Sequence, residues 1–324
     1  AQVAGAGGKL EEITSFPAPE GIAARRVIAV GLGRETDLTS DRIRRAAGAV
    51  SRAAAGANRL ASTLTALDLR ATAEGHLLGA YQFTGYKAPA KKAVAAVTLH
   101  VAKADRAAKE TLREAVVACE AVCLTRDLVN TAPNDLPPAV FADRVAEAAR
   151  TAGLTVQVLT EKALERGGYG GILGVGSGSA RPPRLVRLSY RPAQARAHVA
   201  LVGKGVTFDS GGISLKPPAG MEHMTSDMAG AAAVVATAIG AAALKLPIAV
   251  TATVPMVENL PSGSSYRPGD VLTHRGGKTV HVLNTDAEGR LILADAIVRA
   301  CEDEPDYLFT TATLTGAQVV ALGN

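Results

Sequence analysis

Apolar positions along this chain follow two different rhythms. In Arg26–Gly33 (RVIAVGLG) they are continuous and end in glycines, which predicts a buried strand. Helical spacing follows at Thr39–Gly56 and again at Asn58–Leu67, and a further strand is expected over Lys92–His100. Asp105–Asp127 reads as one long Ala-rich helix with Asp105 as its N-cap, running into the turn-rich segment Asn130–Pro138 (NTAPNDLPP). Beyond it, strands are expected at Thr155–Leu159, Arg184–Tyr190, His198–Val202, Ile248–Val254, Val280–Leu283 and Tyr307–Ala312. Helices are expected at Phe141–Thr151, Met228–Leu244 and Leu291–Cys301. Strands such as HVALV and IAVTATV lack the alternation of a half-wetted sheet, so they suit a sheet covered by helices on both faces. The result is a layered α/β chain.

The 324 residues exceed one ordinary domain of roughly 100–200 residues. With 48% hydrophobic residues the chain can build real cores, which excludes global disorder. Aromatics are scarce at 3% while glycine and alanine abound, so the helices must pack closely through small residues. The net charge of +5 is spread through predicted helices; it reads as solubility, not as the clustered footprint of a nucleic-acid binder. Cys119, Cys123 and Cys301 make neither a disulfide framework nor a CxxC pair, which fits a reducing cytosol. The nearly uncharged stretch Met228–Val257 is divided by Pro247 and reads as a buried helix and strand, not a membrane span. No signal peptide opens the chain, and its start at Ala1 without Met implies a processed or incomplete N-terminus.

The glycine clusters do not bind nucleotides on this reading. Gly31-Leu-Gly33 lacks a third glycine, Gly174–Gly178 has the wrong spacing, and Gly203-Lys204-Gly205 is no P-loop. Polar residues instead collect where the strands of the second half end. GKGVTFDSGGISLKP holds Lys204, Asp209 and Lys216; MTSDMAG holds Asp227; NTDAEGR holds Asp286, Glu288 and Arg290. Ligands of open α/β sheets bind beyond the carboxyl ends of the strands, so these segments are candidates to meet. Singly, Asp227 could be an N-cap, and Asp286 and Glu288 could simply favour a helix start. Together, close carboxylates repel unless a cation neutralises them, and hard divalent ions do so well. Oxygen-rich ligation without His or Cys points to an open, reactive centre; His198, His274 and His281 read as structural.

NTDAEGR (Asn284–Arg290) and GKGVTFDSGG (Gly203–Gly212) resemble the leucyl aminopeptidases, the cytosol aminopeptidase family of two-metal exopeptidases. The likeness continues through RDLVNTAPNDLPP (Arg126–Pro138), PSGSSYRPGDV (Pro261–Val271) and TATLTGA (Thr311–Ala317), while the first half matches loosely. It implies an α/β fold with a mixed central sheet flanked by helices in the catalytic domain, preceded by a smaller α/β N-terminal domain. The expected division is 1–104, a connecting helix at 105–128, and the catalytic domain at 129–324. By motif, Asp209, Asp286 and Glu288 resemble ligands of one metal. Lys204, Asp209, Asp227 and Glu288 resemble ligands of the other, with Lys204 needing a depressed pKa to offer a lone pair. The cofactors implied are two divalent ions, Zn or Mn, with Co or Mg also compatible.

The resemblance further implies removal of N-terminal, Leu-like residues from peptide substrates. A water bridging two ions about 3.5–4 Å apart would attack, Lys216 would stabilise the developing charge, and Arg290 would hold a bicarbonate as general base. Met224, Thr313, Leu314, Gly316 and Ala317 match the segments that line the pocket for the first side chain. A homo-hexamer in the cytoplasm is expected, with no membrane association. The chain stops at Asn324, where the family's catalytic domain continues, and its N-terminal domain lacks the opening strands, so an incomplete chain is expected. The alternatives are a DNA-binding, architectural role known in the same family and another two-metal hydrolysis, such as that of phosphoesters, with Lys216 and Arg290 on phosphate.

Overall fold

The computed structural model describes residues 5–323. Strands β1 (Ile13–Pro17) and β2 (Arg26–Val30) pair antiparallel, β2 lying within the predicted Arg26–Gly33 strand. Helix α1 (Ser40–Ala53) falls in the first predicted helix, and the Thr39 hydroxyl caps it by accepting from the Arg42 amide at 3.3 Å. The second predicted helix, Asn58–Leu67, is wrong. Arg59–Ser62 is strand β3, a 3-10 turn covers Leu64–Ala66, and helix α2 starts only at Leu69 (Leu69–Gly79). Leucines at 60, 64 and 67 mimic helical spacing, but β3 is claimed by parallel pairing with β4 (Ala96–Leu99). Asp68 then caps α2, accepting from the Ala71 amide at 2.9 Å. The α1–α2 contact is built on small residues as the composition predicts: a Cβ on Gly79 would lie 2.4 Å from Gly48 Cα.

Helix α3 (Arg106–Asn130) is the predicted long helix, and the Asp105 carboxylate caps it by accepting from the Ala108 amide at 3.0 Å. The chain divides into two compact units within α3, Ala1–Cys123 and Leu124–Asn324. The expected outer limits at Ala1 and Asn324 lie outside the described residues.

The second unit carries, in order, α4 (Pro138–Thr151), β5 (Thr155–Leu159), α5 (Glu161–Arg166), α6 (Gly170–Gly176), β6 (Arg184–Tyr190), β7 (His198–Gly203) and β8 (Gly205–Asp209). After these come α7 (Ala229–Ala243), β9 (Ala249–Asn259), β10 (Val271–Thr273), β11 (Thr279–His281), α8 (Glu288–Cys301), β12 (Tyr307–Thr311) and α9 (Ala317–Leu322). The sheet runs β12-β7-β9-β6-β5, and β8 continues beside β9 where β7 leaves off. β7, β8 and β12 run parallel to their neighbours, whereas β6 is antiparallel to both β9 and β5, so the sheet is mixed. Every residue of β9 is buried, the reason its sequence shows no alternation.

Helices cover both faces. Phe141 and Val145 of α4 and Val234 and Val235 of α7 pack with Val186, Leu188, Val250 and Val254 on one side. Ile172 and Val175 of α6 and Leu291, Ile292 and Ala296 of α8 pack with Leu185, Val202 and Val257 on the other. Met221–Ala243 is long and apolar enough to cross a membrane by length and composition, but α7 within it is a core helix of this layered unit. The carboxyl ends of β7, β8, β9 and β12 open on one rim, and the N-termini of α7 and α8 arrive there too.

Candidate metal centre

The rim gathers residues from four separate stretches of sequence. Lys204 sits in the one-residue gap between β7 and β8, where its amide donates to the Thr311 carbonyl at 3.0 Å. Its side chain is buried, and Nζ lies 2.8 Å from Asp227 Oδ2, 2.7 Å from Glu288 Oε1 and 2.8 Å from the Thr313 carbonyl oxygen. Asp209 ends β8, and Lys216 Nζ lies 2.8 Å from its Oδ2 and also contacts Asp286 Oδ1. Asp227 is not the N-cap of α7, since that position is Met228; its Oδ1 accepts from the Thr313 hydroxyl at 2.7 Å. Glu288 opens α8, with Ala287 at the N-cap and no side-chain cap, so its carboxylate is free for the rim.

Four carboxylates thus face two ammonium groups, which leaves two net negative charges in a largely buried cluster when all are ionised. Burial pushes the Asp227 carboxyl up to about 7 against the pull of Lys204. Burial likewise raises Glu288, with Asp209 adding repulsion. For Lys204 burial works against the charge, but Asp227 and Glu288 outweigh it and hold the amine protonated. An incoming cation must therefore take the place of that proton before Lys204 can act as a ligand. Lys216 behaves in the same way: burial opposes its charge, and Asp209 and Asp286 more than offset this.

The donor set fits divalent ions. Oxygens of Asp209, Asp286 and Glu288 all lie within 4.8 Å of one another. Glu288 Oε2 is buried and receives no hydrogen bond, an expensive arrangement for a carboxylate that a cation relieves. Hard oxygen donors, with one amine and no thiolate or imidazole, suit Mn, Mg, Co or Zn.

Of the residues expected to line a substrate pocket, Thr313 joins the cluster directly through its hydroxyl and carbonyl. Leu314 packs beside Gly289. Met224 lies in the 3-10 turn Met221–Ser226, where its carbonyl accepts from the Asp227 amide at 3.3 Å. Gly316 and Ala317 stand at the exposed start of α9. Arg290 lies exposed in the first turn of α8. His198 bonds Thr251 at 2.8 Å and buried His274 bonds Asp295 at 3.0 Å, both outside the cluster as expected.

Three residues escaped the sequence reading. Asn259, at the end of β9, donates through Nδ2 to Asp209 Oδ1 at 2.8 Å and to the Thr285 carbonyl at 3.0 Å. The Thr285 hydroxyl donates to the Gly211 carbonyl at 2.6 Å, tying the Asp209 and Asp286 segments together. The buried Tyr266 hydroxyl donates to the Thr285 carbonyl at 2.7 Å; burial and the nearby Glu288, Asp209 and Asp286 raise its pKa, so it stays a phenol. The available signal for Asn259 was the polar pair Glu258-Asn259 closing a largely apolar strand, while Thr285 and Tyr266 lie within the NTDAEGR and PSGSSYRPGDV segments.

An α/β sheet whose rim concentrates carboxylates and lysines in this way is a scaffold for a divalent-metal centre. The chain belongs to the cytosol aminopeptidase family: residues 123–324 match its catalytic domain and residues 2–90 its N-terminal domain. It is 59% identical to a probable cytosol aminopeptidase of Rhodococcus opacus over 99% of this chain and 65% of that protein. A probable cytosol aminopeptidase of Corynebacterium diphtheriae is 52% identical over 99% of this chain and 64% of its own length. The chain thus spans a little under two thirds of the curated relatives it matches. Among solved structures, the bottromycin maturation enzyme BotP in complex with Mn superposes with a TM-score of 0.91 at 41% identity, covering 99% of this chain and 70% of that one. The cytosol aminopeptidase from Coxiella burnetii gives 0.85 at 31% identity, covering 99% and 67%.

Proposed function

We propose that this chain carries the metal centre of a metal-dependent aminopeptidase that releases N-terminal residues, Leu-like ones preferred, from peptides. The observation that carries the reading is the convergence of Asp209, Asp286 and Glu288 oxygens within 4.8 Å, backed by Lys204 and Asp227. Lys204, Asp209, Asp227, Asp286 and Glu288 would hold two ions, Zn or Mn by preference, with Asp209 and Glu288 shared. When bound, such ions supply Lewis acidity toward the scissile carbonyl, an anchor for the substrate's free amine and a lowered pKa for the attacking water.

The chain's own groups do the rest. Lys216 stays charged and supplies an ammonium to the negative oxygen that develops at the carbonyl. The Thr313 hydroxyl fixes the rotamer of Asp227, and the Thr313 carbonyl fixes Lys204. Leu314, Met224, Gly316 and Ala317 would border the first side chain, and Arg290, exposed in the first turn of α8, would hold bicarbonate as the general base. A homo-hexamer in the cytoplasm completes the reading; the relatives' name as cytosol aminopeptidases supports the location. The division at 104/105 and 128/129 into N-terminal domain, connecting helix and catalytic domain belongs to it as well.

The test is hydrolysis of a leucyl chromogenic amide by this chain with Mn, with Zn and with chelator. Release that needs metal and disappears when the substrate's amine is acetylated supports the reading. Release that persists under chelator, or from the acetylated amide, overturns it.

A further inference from the structure

The β8–β9 pairing contains a register shift. Val206 faces Val257, but Phe208 faces Glu258, so Thr207 is an extra residue and Asp209 falls opposite Asn259. Bulges re-aim side chains, and here the effect is to set a carboxylate and an amide side by side at the strand ends. Asn259 is completely buried. Both of its N–H bonds are used, on Asp209 Oδ1 at 2.8 Å and on the Thr285 carbonyl at 3.0 Å. The reversed amide would press its oxygen against two acceptors, so the partners themselves fix its orientation. The cost is visible on the other side, where Asn259 Oδ1 is buried without a donor.

We propose that Asn259 is a positioning residue for the metal centre, acting through Asp209. Asp209 Oδ1 already accepts from the Gly211 amide at 2.9 Å, and the Asn259 amide saturates it. The remaining oxygen, Oδ2, is the one turned toward Lys216 and the cluster. Through the Thr285 carbonyl the same amide grips the residue immediately before Asp286, so one side chain sets the spacing of two carboxylate-bearing segments. A ligand carboxylate whose orientation is held by an outer hydrogen bond binds its ion more tightly, and loss of such a partner typically costs about 10–100-fold in metal affinity. This inference rests on the metal-centre reading above.

Titration of the chain with Mn, followed by calorimetry, tests it. Asn259→Ala is expected to weaken Mn binding about 10–100-fold. Asn259→Leu, which keeps the branched shape and removes both donors, is expected to weaken it equally and serves if the alanine variant does not fold. Tyr266→Phe, which removes only the other donor on the Thr285 carbonyl, is expected to change affinity by less than about 3-fold. Restoration of affinity by leucine would reduce Asn259 to a packing role and overturn the proposal. So would a loss in Tyr266→Phe as large as that in Asn259→Ala. If the unmodified chain binds no Mn, the metal-centre reading itself falls and this inference with it. If it binds and both Asn259 variants bind Mn as tightly as the unmodified chain, only the present inference fails.

Discussion

Gly289 is the second residue of α8, directly after Glu288, and a side chain there would strike the site from behind. A Cβ built on it lies 2.7 Å from Lys204 Cε, 2.9 Å from Lys204 Cδ and 2.9 Å from Leu314 Cδ1. Carbon atoms settle at about 3.5–4.0 Å, so Gly289→Ala must displace the lysine stem by about 1 Å. That stem has little room to give, because Nζ is held by Asp227, Glu288 and the Thr313 carbonyl. Overpacking costs about 1–3 kcal/mol, while alanine in place of glycine in a helix returns up to about 1 kcal/mol. Net destabilisation should therefore stay within about 3 kcal/mol, and the fold should survive. Mn affinity should fall by about 10-fold or more, since the amine is moved off its position. The control is Gly263→Ala, where a Cβ meets nothing within 4 Å. Thermal melts and Mn titrations on wild type and both variants decide it. Unchanged Mn binding in Gly289→Ala would refute the reasoning, because the Lys204 position would then be irrelevant to the ions.

Two further outcomes follow from buried groups away from the cluster. Asp295 is fully buried on α8 and accepts from the Ile172 amide at 2.9 Å and the Arg275 amide at 2.9 Å while pairing with His274 at 3.0 Å; Asp295→Ala should destabilise the second unit by about 3 kcal/mol or more in denaturant unfolding. In the first unit, burial lowers His76 from the ordinary 6.5 to about 4, with Nδ1 bonded to Ser51 at 2.9 Å. The unfolded chain binds the extra proton between those values, so stability is full above about pH 6.5 and falls by about 3 kcal/mol as pH drops to 4. His76→Gln should flatten that slope in urea titrations at pH 7 and pH 4.5; an unchanged slope would place the acid sensitivity elsewhere.

Much of the second unit was legible because β6 and β9 are largely buried apolar runs and the strands are bounded by turns. Thr155–Leu159 and Arg184–Tyr190 match the predicted spans, and β9 begins one residue later than the predicted Ile248–Val254 and runs on to Asn259. Strand β8 was not legible. Its five residues open on Gly205, run into Ser210-Gly211-Gly212 and look like loop until β7 ends and β9 offers a free ladder beside it. Asn58–Leu67 failed for a related reason, since leucine spacing is local while the pairing with β4 is not. In the site, acidic residues and lysines announced themselves through their motifs, and the structure brings Lys204, Asp209, Lys216, Asp227, Asp286 and Glu288 together. The groups that orient them did not. Asn259 and Thr285 act through hydrogen bonds that span 26 to 74 residues in sequence, and no spacing rule encodes such contacts.

Counting the ions tests the two-metal reading most directly. Calorimetric titration of this chain with Mn should show two ions per chain. Asp227→Asn should retain one, and Asp209→Asn, which removes a carboxylate shared by both positions, should retain none with comparable affinity. Failure of the unmodified chain to bind Mn, or two ions bound undiminished by Asp209→Asn, would contradict a shared carboxylate centre on this rim.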